Sequence, residues 1–189
     1  MKYFLDFGGH NSCSARIFRK LYDPNCEYHI YSFEPEKSFH KYYDNIPNHT
    51  LIKKAVWIKD DKMSFWPDKE ARKAGGSLIK KTNEKRHPKK PVIVKTIDIT
   101  RWMVENFSRT DIVDVKMDIE GAEYDVIPDM VRRGAFRVIR KFYIEWHWYK
   151  IGMEEEEHKE IMAMIPAAKR SWPGVENATA ILGKGYLKK

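Results

Sequence analysis

Residues 3–14, YFLDFGGHNSCS, contain the pattern that is most informative about the fold. Its apolar part predicts a strand over Lys2 to Phe7, and a helix is expected to open near Ser14. Gly8-Gly9 carry no Cβ and can adopt a positive φ, so the backbone N–H groups of this turn can approach a ligand closely. The dinucleotide fingerprint GxGxxG needs a third glycine, which residues 10–12 lack. The turn therefore predicts a nucleotide-type site of another kind.

Outward from this turn, apolar runs of strand length alternate with segments of helical spacing. This alternation is typical of a parallel sheet covered by helices on both faces, so the sequence predicts an α/β fold. The predicted strands are Lys2 to Phe7, His29 to Phe33, Thr50 to Trp57, Val92 to Ile97, Ile112 to Met117, Val138 to Trp146 and, as a candidate last strand, Ala178 to Leu182. The predicted helices are Ser14 to Leu21, Glu36 to Asn45, Ile99 to Phe107, Ala122 to Arg133 and Glu155 to Ile165.

A carboxylate follows the second predicted strand, HIYSF. Glu34-Pro35 would lie at the carboxyl edge of the sheet, where in open parallel sheets an acid binds both ribose hydroxyls of an adenosine moiety. Taken with the glycine turn, Glu34 favours an adenosine-type ligand over a surface acid that merely precedes a helix.

Four further polar residues follow two later strands. Asp118 and Glu120 come after an apolar run in VDVKMDIEGAE, and Glu145 and His147 come at the end of KFYIEWH. Members of each pair are two apart and share a face of the chain, because side chains alternate along a strand. If the two strands are parallel neighbours, the four side chains converge at the carboxyl edge of the sheet.

Three interpretations of these four residues stay open. Asp118, Glu145 and His147 could ligate magnesium or manganese, because carboxylates with one imidazole suit such cations. A carboxylate could instead be the general base for a substrate hydroxyl, the role for which we favour Asp118. The four residues could also only cap helices and close the sheet.

Length and composition predict one soluble domain over residues 1–189, 42% hydrophobic and 33% charged. No apolar run approaches the roughly 20 residues of a membrane span and no signal peptide is visible, so we expect a cytoplasmic protein. Cys13 and Cys26 do not have the spacing of a disulfide framework or a zinc site, which fits a reducing compartment. Because the first strand begins at residue 2, the chain is either a minimal version of its fold or one domain of a longer polypeptide.

The formal net charge of +8 would suit an anionic partner. Much of it comes from Lys80 to Lys90, a run without apolar periodicity that predicts a solvated loop. This run belongs to a polar insertion from about Asp68 to Pro91, which also holds Gly75-Gly76-Ser77; loops of this length are usually functional or mobile. No ordered basic face with interleaved aromatics is visible, so nucleic acid is the less favoured partner.

Six motifs give the chain a resemblance to FkbM-type methyltransferases. They occur in the order and at about the spacing of that family and cover nearly the whole chain: FLDFGGHNS, YSFEPE, KKAVW, VKTIDI, VKMDIEGAEYDVI and FYIEWH. The most specific is KMDIEGAE, residues 116–123. The resemblance implies a Rossmann-like class I methyltransferase fold with a mostly parallel seven-stranded sheet. It also implies S-adenosylmethionine at the carboxyl edge and methyl transfer to oxygen.

The resemblance further implies roles for individual residues. Glu34-Pro35 would hold the ribose, Ala55-Val56 the adenine, and Ser77 could close over the cofactor. Ser12 stands where the family more commonly has a glycine, and His10 where it has a small residue. The methionine part would be held by Asp6, Gly8, Gly9, His10, Asn11 and Ser12. The transferred methyl group and the acceptor would be faced by Asp118, Glu120, Glu145 and His147.

The resulting expectation is an O-methyltransferase for a sugar or glycan, fused to or associated with a glycosyltransferase. The aromatic side chains in residues 146–149 would suit stacking on a pyranose. One alternative is an RNA 2'-O-methyltransferase, in which Lys116 with Lys54 or Lys141 would assist deprotonation. The other is a non-catalytic domain that keeps the fold as an S-adenosylmethionine-binding or scaffolding module.

Overall fold

The computed structural model of the protein describes residues 1–67, 75–80 and 90–169. The strands are β1 (Lys2–Phe7), β2 (His29–Phe33), β3 (His49–Ile52), β4 (Ala55–Trp57), β5 (Lys62–Phe65), β6 (Val92–Asp98), β7 (Ile112–Met117) and β8 (Ile139–Ile144). The α-helices are α1 (Cys13–Leu21), α2 (Ile99–Asn106), α3 (Glu123–Arg132), α4 (Trp148–Ile151) and α5 (Glu155–Met164), and 3₁₀ turns occupy Lys37–Tyr43, Ala135–Arg137 and Ala167–Lys169.

The main sheet has the strand order β3-β2-β1-β7-β8, and every neighbouring pair in it is parallel. Its register aligns Phe7 with Phe33 on one side and with Met117 on the other. Met117 in turn lies opposite Ile144. Because the four strands end level, the residues that follow them lie side by side at one edge.

Helices cover both faces of this sheet, as the sequence predicts. Phe4 belongs to one apolar cluster and Leu5 to the other, since neighbouring side chains of a strand point to opposite faces. On the first face Phe4 stacks on Phe18 of α1 with ring centroids 3.9 Å apart. On the second face Met103 of α2 and Ile127 of α3 are fully buried in the larger cluster.

A second, smaller sheet has the order β4-β6-β5, with β4 parallel and β5 antiparallel to β6. The single strand predicted from Thr50 to Trp57 is therefore wrong. The Lys54 N–H donates to the Ile52 carbonyl at 2.9 Å, and this tight turn sends the two halves into different sheets. The α/β class and the parallel main sheet are confirmed, but the described strands divide into sheets of five and three instead of one of seven.

Other elements differ less. The predicted helix from Glu36 to Asn45 is a 3₁₀ turn over Lys37–Tyr43; its buried side chains Phe39 and Tyr43 are four apart, a spacing that suits either helix type. Strand β5 and helix α4 are not in the sequence prediction. The remaining predicted elements within the described residues are confirmed to within two residues at each end.

Part of the prediction lies outside the described residues, namely the candidate strand from Ala178 to Leu182 and most of the polar insertion. Of the insertion, residues 75–80 are described. Ser77 and Trp66 exchange two backbone hydrogen bonds of 3.0 and 2.8 Å, which join this segment to the end of β5. Within the described ranges, no helix is both long and apolar enough to cross a membrane.

Candidate active site

The glycine turn after β1 packs directly on the turn after β7. Gly8 has a φ of 77°, and a Cβ there would lie 1.8 Å from the carbonyl oxygen of Asp118. A Cβ on Gly9 would lie 2.3 Å from the Tyr43 hydroxyl. Both glycines are therefore required by close packing, in addition to any contact with a ligand.

Two residues of the turn adopt the left-handed conformation that favours glycine. His10 has a φ of 46° and Ser12 a φ of 65°. The Ser12 hydroxyl donates to the Tyr42 carbonyl at 2.7 Å, and the His10 ring packs on Phe39 with centroids 4.0 Å apart. These contacts explain how the turn keeps its shape with two larger residues at unusual positions.

A cavity lies at the carboxyl edge of the main sheet. Its empty space is about 590 Å³, a volume that includes open solvent at its mouth. Predicted site residues in its lining are Gly8, His10, Glu34, Pro35, Ala55, Val56, Asp118 and Glu120. Lining residues to which the sequence analysis assigned no role are Phe33, Glu36, Phe39, Phe65, Gly75, Gly76, Leu78, Ile119 and Ala122. Predicted site residues outside this lining are Asp6, Gly9, Asn11, Ser12, Ser77, Glu145 and His147.

Glu34 lies at the end of β2 and is only 5% exposed. Its carboxylate accepts hydrogen bonds from the backbone N–H groups of His10 at 2.8 Å and Glu36 at 2.7 Å. Burial raises the pKa of Glu34 to about 8, although these two hydrogen bonds oppose the rise. The acid predicted to follow the second strand is thus fixed beside the glycine turn.

Ser77 connects the described part of the insertion to the turn after β7. Its hydroxyl donates to the Glu120 carbonyl at 2.6 Å and accepts from the Ile79 N–H at 2.9 Å. Ser77 is 1% exposed and does not line the cavity itself. It instead holds Gly75 and Gly76, which do line the cavity. The Gly75-Gly76-Ser77 motif was the sequence signal for this wall.

The four polar residues after β7 and β8 converge around one nitrogen atom. His147 Nε2 lies 3.7 Å from Asp118 Oδ1, 3.7 Å from Glu120 Oε1 and 3.5 Å from Glu145 Oε1. The convergence expected from parallel neighbouring strands is therefore present, because β7 and β8 pair directly.

Glu123 fixes the orientation of His147. The fully buried Nδ1–H of His147 donates to Glu123 Oε1 at 3.0 Å, and the same carboxylate accepts the N–H groups of Ile119 at 2.8 Å and Gly121 at 2.7 Å. Burial lowers the pKa of His147, but the hydrogen bond to Glu123, the close approach of Glu145 and the surrounding negative charge outweigh it. Together they raise this pKa to about 10.

Two lysines pair with the carboxylate oxygens of Asp118 and Glu120 that do not face His147. Lys116 Nζ lies 3.5 Å from Asp118 Oδ2 and 3.3 Å from Asp6 Oδ1, and it donates to the Gly8 carbonyl at 2.7 Å. Lys150 donates to Glu120 Oε2 at 2.8 Å. Burial raises the pKa of Asp118 to about 6, while the charges of Lys116 and His147 limit the rise. Lys116 is 2% exposed, so its charge is buried inside the site.

The backbone between these acids is strained. Glu120 has a φ of 58° and Gly121 a φ of 108°. A non-glycine residue at positive φ costs roughly 1 kcal/mol or more and often marks a functional turn. Here the turn points the Glu120 side chain back toward His147 and Lys150.

A parallel sheet whose carboxyl edge carries a glycine turn, an acid after the next strand and a cavity between them defines a Rossmann-like ligand-binding fold. The chain belongs to the FkbM methyltransferase family, since residues 6–171 match the methyltransferase FkbM domain. The match includes both the glycine turn and the acidic cluster, and it makes the protein a methyltransferase of the class I fold. Comparisons with curated proteins and with solved structures gave no match.

Proposed function

We propose that the protein transfers a methyl group from S-adenosylmethionine to a hydroxyl oxygen of a sugar or glycan. The observation that carries the proposal is the cavity at the carboxyl edge, which has Glu34 in one wall and Asp118 with Glu120 in another.

The lining of the cavity fits this cofactor. The Glu34 carboxylate keeps lone pairs beyond the two that His10 and Glu36 use, so it can accept hydrogen bonds from ribose hydroxyls. Ala55 and Val56 offer an apolar wall to the adenine. Gly8 lines the cavity where we place the methionine part, although its N–H donates to the Phe33 carbonyl and its carbonyl accepts from Lys116. We assign the rest of that contact to the same turn, with Asp6, Gly9, Asn11 and Ser12.

The chemistry assigned to the chain is mostly orientation and proton transfer. Bound S-adenosylmethionine supplies a methyl group on a positively charged sulfur. As the acceptor oxygen bonds to the methyl carbon, the carbon–sulfur bond breaks and the hydroxyl proton passes to Asp118. The products are a methyl ether, S-adenosylhomocysteine and protonated Asp118, which returns its proton to solvent.

Polar groups next to Asp118 support a polyhydroxylated acceptor. Glu120 lines the cavity and pairs with Lys150, and we propose that its carboxylate accepts hydrogen bonds from sugar hydroxyls. Trp146 and Trp148 pack around the His158 ring, with centroids 5.0 and 5.7 Å away. Tyr149 is 56% exposed and is therefore the aromatic we propose to stack on a pyranose.

The experiment that tests this proposal follows labelled methyl groups from S-adenosylmethionine onto a panel of monosaccharide glycosides and short RNAs. The expected product is a glycoside that carries the label in an alkali-stable methyl ether. Label transferred to RNA alone, with a rate that falls steeply with salt, would assign the chain to RNA 2'-O-methylation instead.

A thermal-shift measurement with S-adenosylmethionine tests whether the chain binds the cofactor, and labelled methyl transfer then distinguishes an enzyme from a non-catalytic binding domain. We expect the cofactor to raise the melting temperature. If it did not, the proposed function would fail at the cofactor and not only at the choice of acceptor.

A further inference from the structure

One nitrogen in the acidic cluster has no hydrogen-bond partner. Within the part of the chain that the structure describes, His147 Nε2 is buried and makes no hydrogen bond. Its carboxylate neighbours lie at 3.5 to 3.7 Å, which is too long for a hydrogen bond. Because Glu123 accepts the proton of Nδ1, the lone pair of Nε2 points into the cluster when the imidazole is neutral.

The pairing of a histidine with a buried carboxylate has a known use. Histidines that ligate metals almost always donate their other ring N–H to a carboxylate or carbonyl, which fixes the tautomer and orients the ring. Glu123 does this for His147 and is itself fixed by the N–H groups of Ile119 and Gly121. The support for a ligating Nε2 is therefore already in place.

Asp118 and Glu120 each direct one carboxylate oxygen toward a lysine and the other toward His147. Lys116 lies on the Oδ2 side of Asp118 and Lys150 on the Oε2 side of Glu120. The other oxygens, Asp118 Oδ1 and Glu120 Oε1, face His147 Nε2. One ligand atom from each of these three residues lies within 4.8 Å of the other two.

These spacings match the coordination sphere of a divalent cation. With bonds of about 2.1 to 2.5 Å, neighbouring ligands of an octahedral cation lie about 3.0 to 3.6 Å apart. The separations of 3.5 and 3.7 Å from Nε2 reach this range with an inward movement of a few tenths of an ångström or less.

The net charge of the cluster also favours a bound cation. Five carboxylates, those of Asp6, Asp118, Glu120, Glu123 and Glu145, lie in or beside the cluster. Among the described residues, Lys116 and Lys150 pair with them, and so does His147 while its imidazole is protonated. A divalent cation at the centre would offset most of the remaining negative charge.

We propose that Asp118 Oδ1, Glu120 Oε1 and His147 Nε2 bind one divalent cation that accepts mixed oxygen and imidazole ligands, with Mn²⁺ as the best-suited probe. Glu145 Oε1 lies 3.5 Å from Nε2, beside this group of three ligands. Asp118 and Glu120 line the cavity, so open coordination positions would face it. The proposed function would use these positions to orient two adjacent acceptor hydroxyls, and that role rests on the proposed function. Binding of the cation itself does not depend on it.

The test is a titration of the EDTA-treated, dialysed full chain with Mn²⁺, followed by electron paramagnetic resonance. We expect one bound Mn²⁺ per chain and a nitrogen modulation in the electron spin echo, the signature of a coordinated imidazole. Glu120→Gln keeps the shape of the side chain and should weaken Mn²⁺ binding by at least about tenfold.

The matched control is Glu155→Gln, because Glu155 is an exposed acid that pairs with Lys159 at 2.7 Å much as Glu120 pairs with Lys150. It should bind Mn²⁺ as the unmodified protein does. Absence of binding at millimolar Mn²⁺, binding without nitrogen modulation, or equal affinity in Glu120→Gln would each overturn the site. The echo measurement needs only the unmodified protein, so it decides the matter even if Glu120→Gln fails to fold.

Calorimetric titration with S-adenosylmethionine in EDTA keeps the two proposals apart. Cofactor binding without Mn²⁺ binding would overturn the cation site and leave the proposed function standing. Mn²⁺ binding without cofactor binding would do the reverse.

Discussion

Asp118 stands between the cavity and the interior of the sheet. One of its oxygens faces Lys116 and the other faces His147, and Asp118 is also among the residues that line the cavity. An acid in this position can act on the acceptor or hold the cofactor. The two roles differ in what its loss would do.

We expect Asp118→Asn to lower turnover by about 100-fold or more, because the amide cannot accept the hydroxyl proton. Affinity for S-adenosylmethionine should change little. Steady-state kinetics and calorimetry measure the two quantities, and Asp125→Asn, an exposed acid on α3, is the control. Equal losses in turnover and in cofactor affinity would make Asp118 a cofactor ligand instead.

Glu34 gives a pH-dependent prediction. Its pKa is about 8 in the folded protein, above its ordinary 4.5, so the folded state holds a proton that the unfolded chain has released. The stability of the protein relative to Glu34→Gln should therefore fall as pH rises from about 5 to 8 and level off above 8. The expected total change is on the order of a few kcal/mol.

Reversible urea unfolding of both proteins at several pH values measures this difference. Glu155→Gln serves as the control, since that acid is exposed and its pKa is lowered by Lys159. If the stability of the unmodified protein relative to Glu34→Gln instead rose with pH, or did not change, the burial of a neutral acid would be contradicted.

Many of the polar residues of the site were predictable from the sequence, but the residue that orients His147 was not. Asp118, Glu120, Glu145 and His147 stand out because acids and a histidine directly follow apolar strands, and parallel pairing brings them together. The role of Glu123 was missed, although it belongs to the same motif. Its contact with His147 depends on a positive φ at Glu120 and Gly121, which the spacing of residues does not reveal.

At the scale of elements, the turn after β1 and the turn after β7 pack as one unit. Gly8 is the point of closest approach, since a Cβ there would overlap the Asp118 carbonyl. The sequence predicts a ligand site at the glycine turn. The same turn also continues the contact between β1 and β7 past Phe7 and Met117, their last paired residues.

Gly8→Ala tests this packing. Gly134 also has a positive φ, of 82°, but a Cβ there would meet only the flexible Arg137 side chain, at 3.3 Å. Gly134→Ala should therefore cost about 1–2 kcal/mol from backbone conformation alone. Gly8→Ala should cost at least about 2 kcal/mol more, because backbone must move. Denaturant unfolding measures both, and equal losses would mean that the turns do not pack as described.

Elements with strong apolar runs were predictable from the sequence. The bounds of β1, β2 and β7 are as predicted because these strands are largely buried and the polar residues that follow them mark their ends. The break at Lys54 was not predictable, since the apolar run continues on both sides of it. Strand β5 was missed because only one of its four residues is buried, so it lacks a periodic signal.

At the scale of the whole molecule, the cavity is assembled from distant parts of the chain. Gly8, Phe65 and Leu78 meet across it, although they belong to the first turn, the second sheet and the insertion. Residues that lie far apart in the sequence leave no local pattern when they line one cavity. The apolar side of the cavity was therefore the least predictable part of the site.

Cofactor binding should therefore stabilise the whole fold. At a concentration 100 times its dissociation constant, S-adenosylmethionine should add about 2.7 kcal/mol to the free energy of unfolding. Chemical unfolding with and without the cofactor measures the change, with ATP as a control adenosine ligand. An equal effect of ATP would mean that the cavity recognises only the adenosine half.

The most direct test of the central claim is a crystal structure with S-adenosylhomocysteine. We expect ribose hydroxyls within hydrogen-bond distance of Glu34, adenine beside Ala55 and Val56, and the sulfur turned toward Asp118. A ligand bound elsewhere, or one lying in the cavity with its ribose away from Glu34, would contradict it.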